Sequence, residues 1–252
     1  MTIALSSSGS NTGATSSTVS SLTLTAGQMV VAVVALAYTS SQTPSSSDLT
    51  LDAGSATIGT PTLDKYIVFD SGNSSYYLGL AVFSVLVTGS GSAAIKVTPT
   101  GSSVVMANHV SIWNGTWDSS RVENAPTIAS SATDNQQSFA SASATSAGAA
   151  LFLSGLSVLQ TVNNTLTKDA AYTLLTSYQD GTTVMCGGAA YHLAGSGTTE
   201  AATWTASAAS NYGWASGLVV YKEVGGGGSS PVLGGNHTSQ TFLSMGGFGS
   251  FR

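Results

Sequence analysis

The chain repeats itself, and that repeat limits what it can fold into. Tyr76 to Ser92 can be laid on Thr182 to Thr198 so that Gly89 falls on Gly195 and Gly91 on Gly197, an offset of 106 residues. Ala94 to Thr98 then answers Glu200 to Thr205, and Ala107 to Trp113 answers Ala215 to Tyr221 with two residues inserted. Upstream, Thr25-Ala26-Gly27 and the run MVVAVVALAY match Ser146-Ala147-Gly148 and AALFLSGLSVL at an offset of 121. The first copy therefore carries about fifteen extra residues, which fall in Ser40 to Thr62. Self-similarity of this kind reports architecture directly, and two copies make a duplication rather than a solenoid.

The repeated unit is built of strands. No window of a dozen residues carries apolar side chains at helical spacing with good helix formers between them. Short β-rich segments separated by Gly, Ser, Asn and Asp follow one another instead, the pattern of a sandwich or barrel. The expected strands are Leu22 to Thr25, Met29 to Tyr38, Lys65 to Phe69, Tyr76 to Leu86, Ala94 to Thr98 and Val104 to Trp113. In the second copy they are Gln137 to Ala140, Leu151 to Val158, Tyr172 to Tyr178, Thr182 to Leu193, Glu200 to Thr205 and Ala215 to Tyr221. Asp180-Gly181 suits a tight type I′ hairpin turn, and Asp70 to Asn73 is its counterpart. The two Gly-Ser-Gly triplets read as the next chain reversals. Met29 to Tyr38 and Ala149 to Val158 are apolar or small on both faces, which places them at the centre of a packed layer. The expectation is an all-β, jelly-roll-like sandwich over residues 1–224, with pseudo-repeats at about 22–115 and 142–222.

From Gly225 the texture changes to GGGGSSP, a flexible linker by composition. Beyond it, 232–252 mixes glycine and serine with Leu233, Phe242, Leu243, Met245, Phe248 and Phe251. Plain disordered tails are poor in aromatics, so these six read as partner-binding residues of an extended arm.

Only 7% of residues are charged, against roughly 25% in ordinary soluble domains, and serine and threonine make up about three in ten. Such a surface suits a protein packed beside other proteins. The net charge of −5 and six scattered cationic residues exclude a nucleic-acid partner, since nothing is arranged to neutralise phosphates. The longest apolar run is about half a membrane span, and the N-terminus lacks the features of a signal peptide, so a soluble, unprocessed chain is expected, with no membrane partner. The single cysteine, Cys186, permits no internal disulfide.

Titratable groups for catalysis are few. His109, His192 and His237 show no zinc-binding spacing. Cys186 and His192 lie too far apart along one strand to act as a pair. Ser90 and Ser196 sit in turns, not at nucleophile elbows. Asp48, Asp52, Asp64 and Asp70 could hold calcium or serve as paired carboxylates, but they lack a calcium-loop spacing. No catalytic residue, metal or cofactor is assigned. Trp113 and Trp204 fall in strands and read as core; Trp117 and Trp214, in loops, are the candidates for stacking on a glycan.

The run Ala26-Gly27-Gln28-Met29-Val30-Val31-Ala32-Val33, the Tyr76 to Leu86 strand with its GSG turn, the close His109 to Gly115, and Trp214 to Lys222 together resemble the jelly-roll domains of tailed-bacteriophage virion proteins. The resemblance covers roughly Leu22 to Lys222 and carries no catalytic residues. It implies a non-enzymatic structural protein of a phage particle: a capsid decoration or cement protein on the capsid surface, with the major capsid protein as partner and a homo-oligomer as a further option. The alternative is a tail or fibre adhesin that binds host glycan through Trp117 and Trp214.

Overall fold

The computed structural model describes residues 2–73, 75–101, 103–132, 136–159, 164–179, 185–210 and 212–224. The protein is all-β, and its strand pairs are antiparallel; one 3-10 turn at Ser46–Asp48 interrupts the strands. The first half comprises β1 (Ala4–Gly13), β2 (Ser17–Leu24), β3 (Met29–Tyr38), β4 (Leu49–Gly54), β5 (Thr57–Ile58), β6 (Thr62–Asn73), β7 (Tyr76–Gly89), β8 (Gly91–Val97) and β9 (Ser103–Asn114). Its large sheet runs β1-β9-β3-β7, with β5 and β6 both on β7, and its small sheet runs β2-β8-β4. The second half comprises β10 (Val122–Asn124), β11 (Ala129–Ser131), β12 (Gln136–Ala140), β13 (Ala144–Thr145), β14 (Ala150–Leu159), β15 (Leu166–Lys168), β16 (Thr173–Gln179), β17 (Met185–Ala194), β18 (Thr199–Glu200), β19 (Thr203–Ser210) and β20 (Trp214–Lys222).

Sheet for sheet, the second half repeats the first. Its large sheet runs β20-β14-β17-β16, with β10 and β11 sharing the outer edge of β20, and its small sheet runs β12-β19-β15, with β13 paired to β18 alongside. In each half the chain passes back and forth between the two sheets in the winding of a jelly roll. The duplication therefore reaches further towards the N-terminus in each copy than the self-similar stretches do, taking in β1 and β2, and β10 to β12.

Each half closes its own core. Val30, Val34, Leu36, Phe83 and Ile112 of the first large sheet pack against Val19, Leu22, Leu24, Leu49 and Ile95 of its small sheet. Phe152, Val158, Cys186, Leu218 and Val220 pack against Phe139, Leu166, Trp204 and Ala206 in the second. A third cluster lies between the halves: Met29, Val31, Val33, Leu80, Val82 and Trp113 meet Leu151, Leu153, Ala189, Val219 and Tyr221. The two large sheets thus pack back to back, giving four layers in the order small, large, large, small. This explains why every residue of β3 and of β14 is buried. Even-numbered residues of both strands point into their own core and odd-numbered ones into the joint.

That alternation corrects the sequence register. Met29 lies opposite Leu86 and Trp113, and Leu151 lies opposite Leu193 and Tyr221. The structural offsets are therefore 122 for β3 onto β14, 107 for β7 onto β17 and 108 for β9 onto β20. The offsets of 121 and 106 are each one residue short, and a one-residue slip would send every side chain to the wrong face. Leu86 to Gly89 spans one residue more than Leu193 to Gly195, so glycine turns make a false anchor.

Gly89-Ser90-Gly91 and its counterpart are not hairpin reversals. β7 and β17 belong to the large sheets, whereas β8 and β19 belong to the small ones, so the triplets carry the chain across the sandwich. Ser90 Oγ accepts from Ala26 N–H at 2.9 Å, and Ser196 Oγ donates to the Ala147 carbonyl at 2.6 Å. Equivalent serines thus tie down equivalent corners. The β6–β7 connection is the expected hairpin, with Gly72 at φ 74°; Asp180-Gly181 lies outside the described residues.

The joint relies on small residues. Gly217, Gly155 and Ala189 stand side by side across β20, β14 and β17, forming a trough that receives Val33 and Leu80. A Cβ on Gly155 would come within 2.7 Å of Val33 Cγ1 and 3.1 Å of Leu80 Cδ1. A polar bolt closes one end. Arg121, 4% exposed, donates from Nε to Ser84 Oγ at 2.9 Å and from Nη2 to Thr62 Oγ1 at 2.7 Å and the Ser84 carbonyl at 3.1 Å. Thr62 and Tyr221 both donate to Asp64, at 2.7 and 2.6 Å. First half, connector and second half are thereby linked through one network.

Candidate interaction surface

The residues singled out for chemistry are dispersed by the fold. Asp48 is 4% exposed; it caps the 3-10 turn by accepting from Ser45 N–H and accepts from Thr100 Oγ1 at 2.9 Å. Asp52 pairs with Lys96 at 3.6 Å on the outer face of the first small sheet. Asp64 belongs to the bolt, and Asp70 accepts from Gly72 N–H in its hairpin. Among the described residues no three of His, Cys, Asp and Glu converge as a metal site. The Ser40 to Thr62 segment, extra by sequence count, contributes β4 and β5; β4 completes the small sheet, as the shorter β15 does in the second half.

The tryptophans are structural in their placement. Trp113 and Trp204 are fully buried, and each indole N–H finds a strand serine, Ser111 and Ser154, at 2.9 Å. Trp214, expected in a loop, opens β20 instead; it is 8% exposed and packs on Phe139 with ring centroids 5.5 Å apart. Trp117 does lie outside the strands, but it is half-buried against the joint and donates to the Trp113 carbonyl at 3.2 Å. Neither indole presents a free platform, because flanking turns and strands have folded over them. Tyr66 on β6, 43% exposed, is the aromatic with more open surface.

His192 faces the open end of the second core, with Nδ1 2.5 Å from Glu200 Oε1 and the Tyr172 ring 5.7 Å away. Burial and the neighbouring Glu200 carboxylate push the Tyr172 phenol well above its ordinary value. Cys186 is enclosed in the same core, and burial raises its thiol to about 12. His109 is 3% exposed, and neither ring nitrogen has a hydrogen-bond partner among the described residues. His237 and the arm residues Leu233, Phe242, Leu243, Met245, Phe248 and Phe251 lie outside the described residues.

Two surfaces remain with the uniformity of an interface. The outer faces of the small sheets are rich in hydroxyls: Ser20, Thr23, Thr50 and Ser92 on one, beside the Lys96–Asp52 pair, and Ser138, Thr167, Thr205 and Ser207 on the other, all eight exposed. Thr205 stands opposite both Ser138 and Thr167, so these side chains form a row across three strands. The second feature is the corner where the described body begins and ends. The Glu223 carboxylate accepts from Thr2 N–H and Thr116 N–H, each at 3.2 Å, and from the Thr2 hydroxyl. Val224 N–H then donates to the Thr116 carbonyl at 2.7 Å. Burial works against ionisation of Glu223, but the hydrogen bonds from Thr2 and Thr116 outweigh it and hold the carboxyl below its usual range. Val224, the last described residue, is therefore held at a fixed point of the body. Neither surface was legible in sequence. The hydroxyl rows require the small-sheet pairing, and the corner requires a contact between positions 2 and 223.

Compared with known proteins, the chain matches no family model, no curated protein and no solved structure.

Proposed function

We propose that this chain is a non-enzymatic structural protein of a bacteriophage virion, a capsid decoration or cement protein that docks on shell subunits. The observation that carries the reading is the tethered exit corner. A four-layer body, sparing in charge, holds Val224 at a defined position, and a 28-residue segment (225–252) rich in glycine and aromatics follows it in sequence. A rigid body with such a segment at one corner suits clamping: the body covers surface through hydroxyl and main-chain contacts, while apolar side chains of the segment fill pockets on a neighbour. Low charge fits a contact that must lose its water over a broad area. The major capsid protein is the partner this reading names, with self-association as a further contact.

Co-sedimentation of the purified protein with assembled phage shells tests it. The full chain is expected to pellet with shells and to raise their resistance to denaturant. The chain ending at Val224 is expected to lose most of that binding while keeping its own unfolding midpoint. Undiminished binding by the truncated chain would remove the arm from the proposal, and failure of the full chain to bind shells would end it.

A further inference from the structure

The back-to-back joint is nearly symmetric, and the place where it departs from symmetry is a cavity. β7 packs over β20 as β17 packs over β9, and β6 over β20 as β16 over β9, with β3 and β14 crossing at the centre. Each half thus presents the same surface to the other, as the subunits of a two-fold dimer do. By the strand registers, His109 corresponds to Gly217, Leu80 to Gly187 and Val33 to Gly155. On one side of the pseudo-axis Leu80 and Ile128 fill the space above Gly217, each within 3.2 Å of where its Cβ would stand. On the other side the large residue has become Gly187 and the glycine has become His109, and the space is left open.

That opening is a cavity of about 60 Å³ between the edge strands β1 and β16. At roughly 15 Å³ per water-sized group it admits about four non-hydrogen atoms. Its base is apolar, formed by Val33, Ala35, Ala107 and Ala189, and its mouth carries the hydroxyls of Ser10 and Thr176. The His109 imidazole lines it with both nitrogens unpartnered. A buried polar group without partners is destabilising, so the imidazole at this cavity wall gains from any partner supplied from outside. Among the described residues Tyr178 is the only other titratable side chain in the lining, and none of the lining residues from β1, β3, β9, β16 and β17 is charged. An imidazolium here has no counter-ion among the described lining residues.

We propose that this cavity is a binding site for a small carboxylate, whose negative charge pairs with protonated His109 while its methyl or methylene end meets the alanines and Val33. An anion entering it meets no repelling side chain among the described lining residues, and Ser10, whose Oγ accepts from Thr176 Oγ1 at 3.4 Å across the mouth, keeps its own hydrogen to donate to the second oxygen. Without ligand, burial holds the ring near a pKa of about 4, below its ordinary 6.5. The unfolded chain therefore binds this proton more readily between those values, and the empty protein loses stability as pH falls through that window. A carboxylate supplies the missing counter-charge, and its binding is coupled to the uptake of one proton from solvent by His109.

Acetate is the probe. In protein with isotope-labelled histidine rings, NMR titration in saturating acetate is expected to move the His109 pKa up by at least about one unit, and acetate at pH 5 is expected to raise Tm by about 2–5 °C. Acetamide, the same size without the charge, is expected to do neither. Ala35→Leu, which fills the cavity from β3, and His109→Gln should each abolish the acetate effect; Ala35→Leu keeps the test open if the histidine variant does not fold. N-acetyl-aspartate amide distinguishes the carboxylate of a partner chain, which it would mimic, from a free small acid, to which acetate alone responds. Equal effects of acetate and acetamide, an unmoved His109 pKa, or an acetate response that survives Ala35→Leu would overturn the proposal.

Discussion

Gly155 shows how closely single residues set this structure. It sits in the joint between the two large sheets, beside Gly217 and Ala189, and Val33 fills the space a side chain would need. Gly155→Val places atoms where Val33 and Leu80 already stand, and overpacking of this kind costs about 1–3 kcal/mol. Urea unfolding should show the loss as a lower midpoint with an unchanged slope; an unchanged midpoint would mean that the joint is looser than its distances indicate. Cys186 supplies an independent readout. Its buried thiol, raised to about 12, should react with a thiol reagent at neutral pH only as fast as the second core opens, and faster in the Gly155→Val variant if the joint supports that core. Labelling of the wild-type thiol at the rate of a free cysteine would contradict the burial.

Among the elements, the longer strands with an apolar face were readable in advance, whereas β4, whose Leu49 and Leu51 face the first core, was not expected. Met29 to Tyr38 begins and ends where β3 does, since ten consecutive apolar or small residues leave little choice once helix formers are lacking. β1, with the sequence ALSSSGSNTG, has no alternation to read; it is a strand because β9 offers a free edge for its backbone to pair with. β10, β11, β13 and β15 are two or three residues long and exist only through their neighbours. The same limit hid the roles of Trp117 and Trp214: loop-like flanking sequence says nothing of what will fold over a ring. The exit corner belongs at this scale too. The Glu223 carboxyl is held below its usual range by Thr2 and Thr116, so its contribution is present at neutral pH and is lost as pH falls through its lowered folded value. Glu223→Gln should leave 225–252 attached to a looser corner at every pH. Amide protection at Val224, taken against the exchange of an unstructured chain at the same pH, is the measurement: it should be high in wild type at pH 7, lower near pH 3, and low throughout in the variant. Protection at Val224 that ignores both pH and the substitution would detach the corner from Glu223.

At the scale of the molecule, two sandwiches that each close a core are still not two independent domains. The joint buries Met29, Val31, Leu80 and Trp113 on one side and Leu151, Leu153, Val219 and Tyr221 on the other. A sheet face so apolar does not remain in water alone. The fragment Asp118 to Val224, expressed by itself, should therefore self-associate through that face, and sizing chromatography at micromolar concentration should show a dimer or larger species. A well-folded monomer would show that the halves need each other less than their packing implies. Arg121 and its bolt to Ser84 and Thr62 add orientation to this adhesion, since polar groups with fixed partners admit few alternative registers.

The layering has one more consequence, which concerns distance. Packed sheets stand about 10 Å apart, so three spacings separate the two hydroxyl-rich outer sheets by about 30 Å. Those sheets face in opposite directions on a body whose thickness is set by its own cores. Whatever rests on Thr50 and Ser92 is held at a fixed separation from whatever rests on Thr205 and Ser138, and the chain serves as a gauge block between them.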